Sequence, residues 1–213
     1  METIRGKTSL DLDLTQLYER LAGSQYHHLD LGTGDGRYVQ ALAVRNPDRF
    51  FIGIDSCREN LQERSRAKLP NMLFVIASAQ DLPCELNGLI SHITINFPWG
   101  SLLRSLLTGD PGLMRGLESV SRSGAALDIH INGGALAEAG WTLEAGAEQI
   151  YSSTIQAGWM VNAPELLNAA ALRNFPSTWA KRIAVGRDPQ AAALRGRAAS
   201  QARSLERVDV LSW

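Results

Sequence analysis

Apolar residues along the chain fall into two spacings. Short apolar-rich runs at 26–31, 50–55, 73–76, 89–95 and 125–131 read as strands buried on both faces. Between them the spacing lengthens to three and four. Leu14, Leu17, Tyr18 and Leu21 predict an amphipathic helix over 11–21, and helices are expected over 38–44, 101–107 and 112–120. Ser56 is placed to cap a further helix running to Lys68. Residues 1–9 read as a strand or hairpin turning at Gly6-Lys7, and the small-residue stretch 133–147 as helix or loop. Regular alternation of strand and helix predicts an α/β fold with a mainly parallel sheet and helices on both faces. Ligands of such sheets collect beyond the carboxyl ends of the strands.

The strongest local signal lies at the end of the first of those strands, in HLDLGTGDGRYV (28–39). Asp30 precedes a turn carrying Gly32, Gly34 and Gly36, and a helix follows. Glycine suits a backbone that turns tightly and approaches a bound molecule, because no Cβ stands in the way. The next strand ends in Asp55, where a carboxylate can grip ribose hydroxyls. An acid at the mouth of the glycine turn would repel a pyrophosphate but would attract an ammonium group. The pattern D-x-G-x-G-x-G followed by an acid after the second strand resembles the class I S-adenosylmethionine (SAM)-dependent methyltransferases.

Composition changes this picture little. The chain has 213 residues, 45% hydrophobic and 20% charged, and reads as one domain with a full core, the ends being a hairpin (1–9) and a tail (204–213). No run is long and apolar enough to span a membrane, and no secretory leader is visible, so a cytoplasmic protein is expected. Cys57 and Cys84 belong to no paired motif and are expected as thiols. His27, His28, His92 and His130 lack metal-ligand spacing, so no metal is expected. Net charge is −1, yet residues 173–213 carry eight basic groups against three acidic. A second basic cluster, Arg58, Arg64, Arg66 and Lys68, is diluted by Glu59 and Glu63. Such clusters are solvated faces or local footprints for phosphate.

A second constellation, Asn96-Phe97-Pro98-Trp99-Gly100, ends the fourth of these strands. Proline fixes the backbone there and an aromatic face can stack on a planar target, although a tryptophan in a loop can equally pack on the sheet.

From this point the sequence resembles one family specifically. PWGSLLRSLL (98–107) is similar to the signature of the aminoglycoside-resistance 16S rRNA adenine-N1 methyltransferases of the kanamycin–apramycin type. LDLGTGDGR (29–37), LPNMLFV (69–75), AGW (157–159), STWAKR (177–182) and Arg187-Asp188 follow the family in order. The resemblance implies a Rossmann-like fold with a seven-stranded sheet, SAM as methyl donor (leaving S-adenosylhomocysteine), and the decoding site of the 30S subunit as target. It implies that Trp99 and Trp179 sandwich a flipped adenine beside Pro98. It places the cofactor on Asp30, Gly32, Thr33, Gly34, Asp55, Ser56, Ala79, Gln80, Phe97, Ser101 and Ser177. For RNA docking it offers Lys7, Arg64, Arg66, Lys68, Lys181, Arg182 and Arg187, and it suggests a monomer. Three departures stand out: Gln80 replaces a family glutamate, Pro189 replaces an arginine, and no Arg or Lys lies between Arg122 and Arg173. A class I methyltransferase acting on a small molecule or a different RNA is the alternative that the last departure supports.

Overall fold

The computed structural model describes residues 1–184 and 190–199, except for the side chains of 178 and 179. Five strands form a parallel centre: β3 (His27–Leu31), β4 (Phe50–Asp55), β5 (Met72–Ile76), β6 (Ile90–Asn96) and β7 (Ser121–Asn132), in the order β5-β4-β3-β6-β7. An antiparallel hairpin, β1 (Glu2–Arg5) and β2 (Thr8–Asp11), adds to the β5 edge. The other edge carries β10 (Ala191–Arg197), antiparallel to β7, with the two-residue strands β8 (Met160–Val161) and β9 (Glu165–Leu166) beyond it. Among the described residues this makes ten strands, an α/β sheet of the expected class enlarged by the hairpin and the two short strands.

Helices α1 (Leu14–Leu21), α2 (Arg37–Arg45), α3 (Arg58–Leu61), α4 (Gly100–Thr108), α5 (Pro111–Val120), α6 (Gly133–Glu138), α7 (Leu143–Gln156), α8 (Ala169–Asn174) and α9 (Thr178–Ala184) cover both faces. One face is a large apolar core in which Leu29, Leu31, Ile52, Ile54, Ile93, Ile95, Leu127 and Ile129 meet α4, α5 and α7. On the other face α2 and α3 cover Phe51 and Phe74, while α8 and α9 cover Phe97 and Ala191.

Local chemistry moves two boundaries. Asp13 accepts from the Gln16 N–H and Gln16 reaches back to the Asp13 N–H, so α1 begins at Leu14 rather than residue 11. Of its four-residue apolar stripe only Leu17 and Leu21 are buried, because the hairpin leaves Leu14 and Tyr18 at the surface. Ser56 caps nothing. Cys57 holds the N-cap position without capping the helix backbone through its side chain, and the helix expected to reach Lys68 breaks after Leu61 into a single tight turn, Arg64–Arg66. Both cysteines are exposed free thiols.

Candidate active site

The glycine turn and the second acid, separate signals in the sequence, are one hydrogen-bonded unit. The Gly32 and Thr33 N–H groups donate to the Ile54 carbonyl at 2.8 and 2.9 Å. The Gly34 N–H donates to Asp55 Oδ2 at 2.8 Å, and the Cys57 N–H donates to Oδ1 at 2.8 Å. Asp55 is thereby fixed with lone pairs left over for hydroxyl donors. Gly32 has φ +72°, and a Cβ there would lie 2.5 Å from a Leu102 methyl. Gly34 has φ +57° with open space beside it, on the cavity side.

That cavity, of about 560 Å³, opens beyond the carboxyl ends of β3, β4, β5 and β6. Asp30, Gly32, Thr33, Gly34, Asp55 and Ser56 line one part of it. Ala79, Gln80, Phe97, Ser101 and Ser177 line the rest, so the residues expected around a cofactor meet in one place. Pro98 and Trp99 border the same space. Polar side chains not foreseen there, Asp35, Tyr38, Asn60 and Ser78, also line it.

Asp30 is 1% exposed. The Thr94 hydroxyl and the Asn96 amide both donate to its Oδ1, each at 2.7 Å. Burial nevertheless dominates and raises its pKa from 3.8 to about 6, with the Asp55 charge adding to the rise. A desolvated carboxyl at the edge of a cavity is a binding site for a cation. The donor set fits SAM: Asp30 would face an ammonium, Asp55 a pair of ribose hydroxyls, and the Ala79 backbone an adenine edge. Gln80 spends its amide within the chain, donating from Nε2 to Ser105 Oγ at 2.7 Å and accepting from Ser78 Oγ at 2.6 Å. It braces the loop after β5 against α4.

Phe97 is the only non-glycine residue with positive φ among the described residues, at 53°. Its N–H donates to the His130 carbonyl at 2.7 Å, and its buried ring holds the left-handed turn in place. Such conformations cost about 1–3 kcal/mol and gather at functional sites. Here the turn aims Pro98 and Trp99 across the cavity mouth before α4 begins. Trp99 is half-buried and packs partly on the main core. Trp179 lies in α9, whose neighbours Ser177 and Arg182 border the cavity, while its own side chain lies outside the described residues.

The basic residues form two groups. At the hairpin turn the Gly6 N–H donates to Ser65 Oγ at 2.8 Å, and Arg58 donates to the Lys7 carbonyl at 2.9 Å. The Arg66 side chain lies against Gly6, so exposed Lys7 and Arg66 and half-buried Arg58 form one patch. Lys68 is exposed on the same flank. Arg64 is half-buried, reaching Gln40 at 3.3 Å and Glu63 at 3.4 Å, and belongs partly to the fold. The second group is Lys181 and Arg182, exposed on α9. Arg187 lies outside the described residues. Among the described residues no group of three His, Cys, Asp or Glu could hold a metal, and no helix is long and apolar enough to cross a membrane.

Comparison with known proteins agrees with this fold. The NpmA family model, described as 16S rRNA (adenine(1408)-N(1))-methyltransferase, matches residues 2–198. A 16S rRNA (adenine(1408)-N(1))-methyltransferase from Escherichia coli is 30% identical over 205 residues, 88% of this chain and 94% of that protein. The crystal structure of the 16S rRNA methyltransferase KamB superposes with a TM-score of 0.84 at 28% identity, covering 93% of this chain and all of that one. The aminoglycoside resistance methyltransferase NpmB1 gives 0.76 at 32% identity, covering 92% of this chain and 98% of its own. The chain belongs to the 16S rRNA (adenine(1408)-N(1))-methyltransferase family.

Proposed function

We propose that this chain methylates N1 of adenine 1408 in the 16S rRNA of the assembled 30S subunit, and that the product confers aminoglycoside resistance. The observation that carries the reading is the single cavity that joins Asp30, Asp55 and the Phe97–Trp99 turn in a member of this family. SAM supplies an electrophilic methyl on a sulfonium. The adenine N1 lone pair forms the new C–N bond as the S–C bond breaks, leaving a thioether and a cationic adenine. No proton need be removed, so the chain requires no general base.

What the chain supplies is position. Asp30 and Asp55 fix the donor, and the left-handed turn at Phe97 sets Pro98 and Trp99 where an extruded base would enter. Trp99 and Trp179 hold that base between indole faces, which also favour the growing positive charge. The described residues around the cavity come from one chain, which supports action as a monomer.

Reverse transcription across the decoding site of 30S subunits treated with the protein and SAM tests the reading. N1 methylation blocks Watson–Crick pairing, so a SAM-dependent stop beside adenine 1408 is expected. SAM binding without that stop would point to the small-molecule alternative.

Docking is expected to fall to the patch at the hairpin turn and to α9. Lys7→Ala combined with Arg66→Ala lowers 30S affinity about ten-fold and flattens its salt dependence, since each lost phosphate contact reduces counterion release. SAM affinity, measured by calorimetry, stays unchanged because neither side chain borders the cavity. An unaltered salt slope would move docking away from this patch.

A further inference from the structure

Polar residues interrupt the central strands at every second position, all on one face. They are His28 and Asp30 on β3, His92, Thr94 and Asn96 on β6, and Asp128 and His130 on β7. Register places Asp30 beside Thr94, Thr94 beside Asp128, and Asn96 beside His130. The residues between them point into the apolar core. A polar row under a layer of helices is costly unless each member is bonded. His92 and Asp128 bond each other at 3.0 Å, and the bonds of the remaining members converge on Asp30. His28 Nε2 lies 3.0 Å from the Thr94 hydroxyl, which donates on to Asp30, and His130 Nδ1 lies 2.8 Å from Asn96 Oδ1.

We propose that His130 is a positioning residue for methyl transfer, holding the Asn96 amide against Asp30 while its ring seats Phe175 and the segment that carries Ser177 and Trp179. The inference rests on the cavity being the methyl-donor site.

An asparagine amide can face either way. With Nδ2 toward Asp30 its oxygen must face His130, and only an N–H there satisfies it. Turned over, the oxygen would meet the Asp30 carboxylate and repel it. Burial lowers the His130 pKa to about 4, so the ring is neutral near pH 7 and carries its one proton on Nδ1. The charged and titratable groups around it are Asp128 on its own strand, Arg195 on β10 and His92 on β6. Those around Asp30 are Asp55 on β4 and Tyr38 on α2.

The same ring makes the second contact. Phe175 meets it edge-on at 4.8 Å, meets Phe97 edge-on at 5.5 Å and stacks on Tyr38 at 5.2 Å with planes 7° apart. Phe175 stands two residues before Ser177, so His130 touches both the donor end of the site and the segment expected to bear one base-stacking indole.

Two variants separate the two contacts. His130→Phe keeps an aromatic edge for Phe175 and loses the N–H. His130→Asn places an amide N–H near the former Nδ1 and loses the ring. Each is titrated with SAM by calorimetry from pH 5 to 8, melted, and assayed on 30S subunits. His130→Phe is expected to bind SAM about ten-fold more weakly, having lost one orienting bond. Its binding should also fail at a higher pH than the wild type, because Asp30 has a looser donor. His130→Asn restores the affinity and its pH midpoint, yet methylates 30S more slowly at saturating SAM. Wild-type affinity and midpoint in His130→Phe, or losses in His130→Asn that follow its melting temperature, would reduce His130 to packing. Wild-type protein that bound SAM without methylating 30S would overturn the rRNA reading and leave this one standing. No SAM binding by the wild type would overturn both.

Discussion

Trp99→Ala and Trp179→Ala are each expected to lower methyl transfer to 30S subunits by about 100-fold, with SAM affinity held within a few-fold. Stacking of one base on one aromatic face contributes about 1–3 kcal/mol, and the ring becomes cationic as the methyl arrives, so part of the effect exists only in the transition state. The loss therefore falls on the rate at saturating substrate more than on KM. If the two indoles grip one base as a unit, as proposed, the double variant should lose less than the product of the single losses. Trp99 has a second duty. It is half-buried and packs on the main core, so Trp99→Ala also lowers the melting temperature. Trp99→Phe separates the duties by keeping an aromatic face at smaller volume, and should recover much of the rate. Single-turnover methylation, SAM calorimetry and melting curves decide the matter. A rate loss in Trp99→Ala that merely tracked its losses of stability and SAM affinity would leave Trp99 as packing.

The five parallel strands were legible as short apolar-rich runs separated by stretches with helical spacing. The glycine turn was legible because its geometry excludes other residues. What the sequence obscured were contacts between distant segments. The bond from Gly34 to Asp55 spans 21 positions, and those from Thr94 and Asn96 to Asp30 span 64 and 66. The signal for the second set was present, as polar residues at period two inside otherwise apolar strands. Read one strand at a time, they are isolated histidines, threonines and asparagines. Only register turns them into a row. The same holds at the hairpin, where Lys7 and Arg66 join because Gly6 docks on Ser65. Helix caps misled for the opposite reason. Ser56 has the right chemistry for a cap, but Asp55 already binds the Cys57 N–H and fixes the chain there. Gln80, a departure from the family's glutamate, is bound to Ser78 and Ser105. That role needs an amide N–H or a hydroxyl partner rather than a charge, so the substitution is compatible with an intact cavity wall.

Asp30→Asn is expected to weaken SAM binding by about 100-fold or more while making the unliganded protein more stable at pH 8. The first half follows from removing one partner of a buried charge pair. The second follows from linkage. The folded-state pKa of Asp30 is raised to about 6, against about 3.9 in an unfolded chain, so the neutral carboxyl favours the fold. That contribution is fully present below the unfolded value and is lost as pH rises through about 6. At pH 8 the ionised, buried carboxylate costs up to about 3 kcal/mol, which corresponds to a melting shift of up to about 6–12 °C for a chain of this size. Asparagine avoids the charge and keeps an oxygen to accept from Thr94 and Asn96. Its advantage should shrink as pH falls from 8 to 4, where Asp30 is itself neutral. A bound ammonium reverses the balance, because it favours the carboxylate, so SAM affinity of the wild type should fall below about pH 6 while that of Asp30→Asn stays low and flat. Melting curves and calorimetry across this range give both halves at once. Equal stability of the two proteins at pH 8, or SAM affinity surviving in Asp30→Asn, would mean that Asp30 is a structural member of the buried row and that the cation is held elsewhere in the cavity. The expected pattern would instead show that the site trades stability of the empty protein for attraction to the donor.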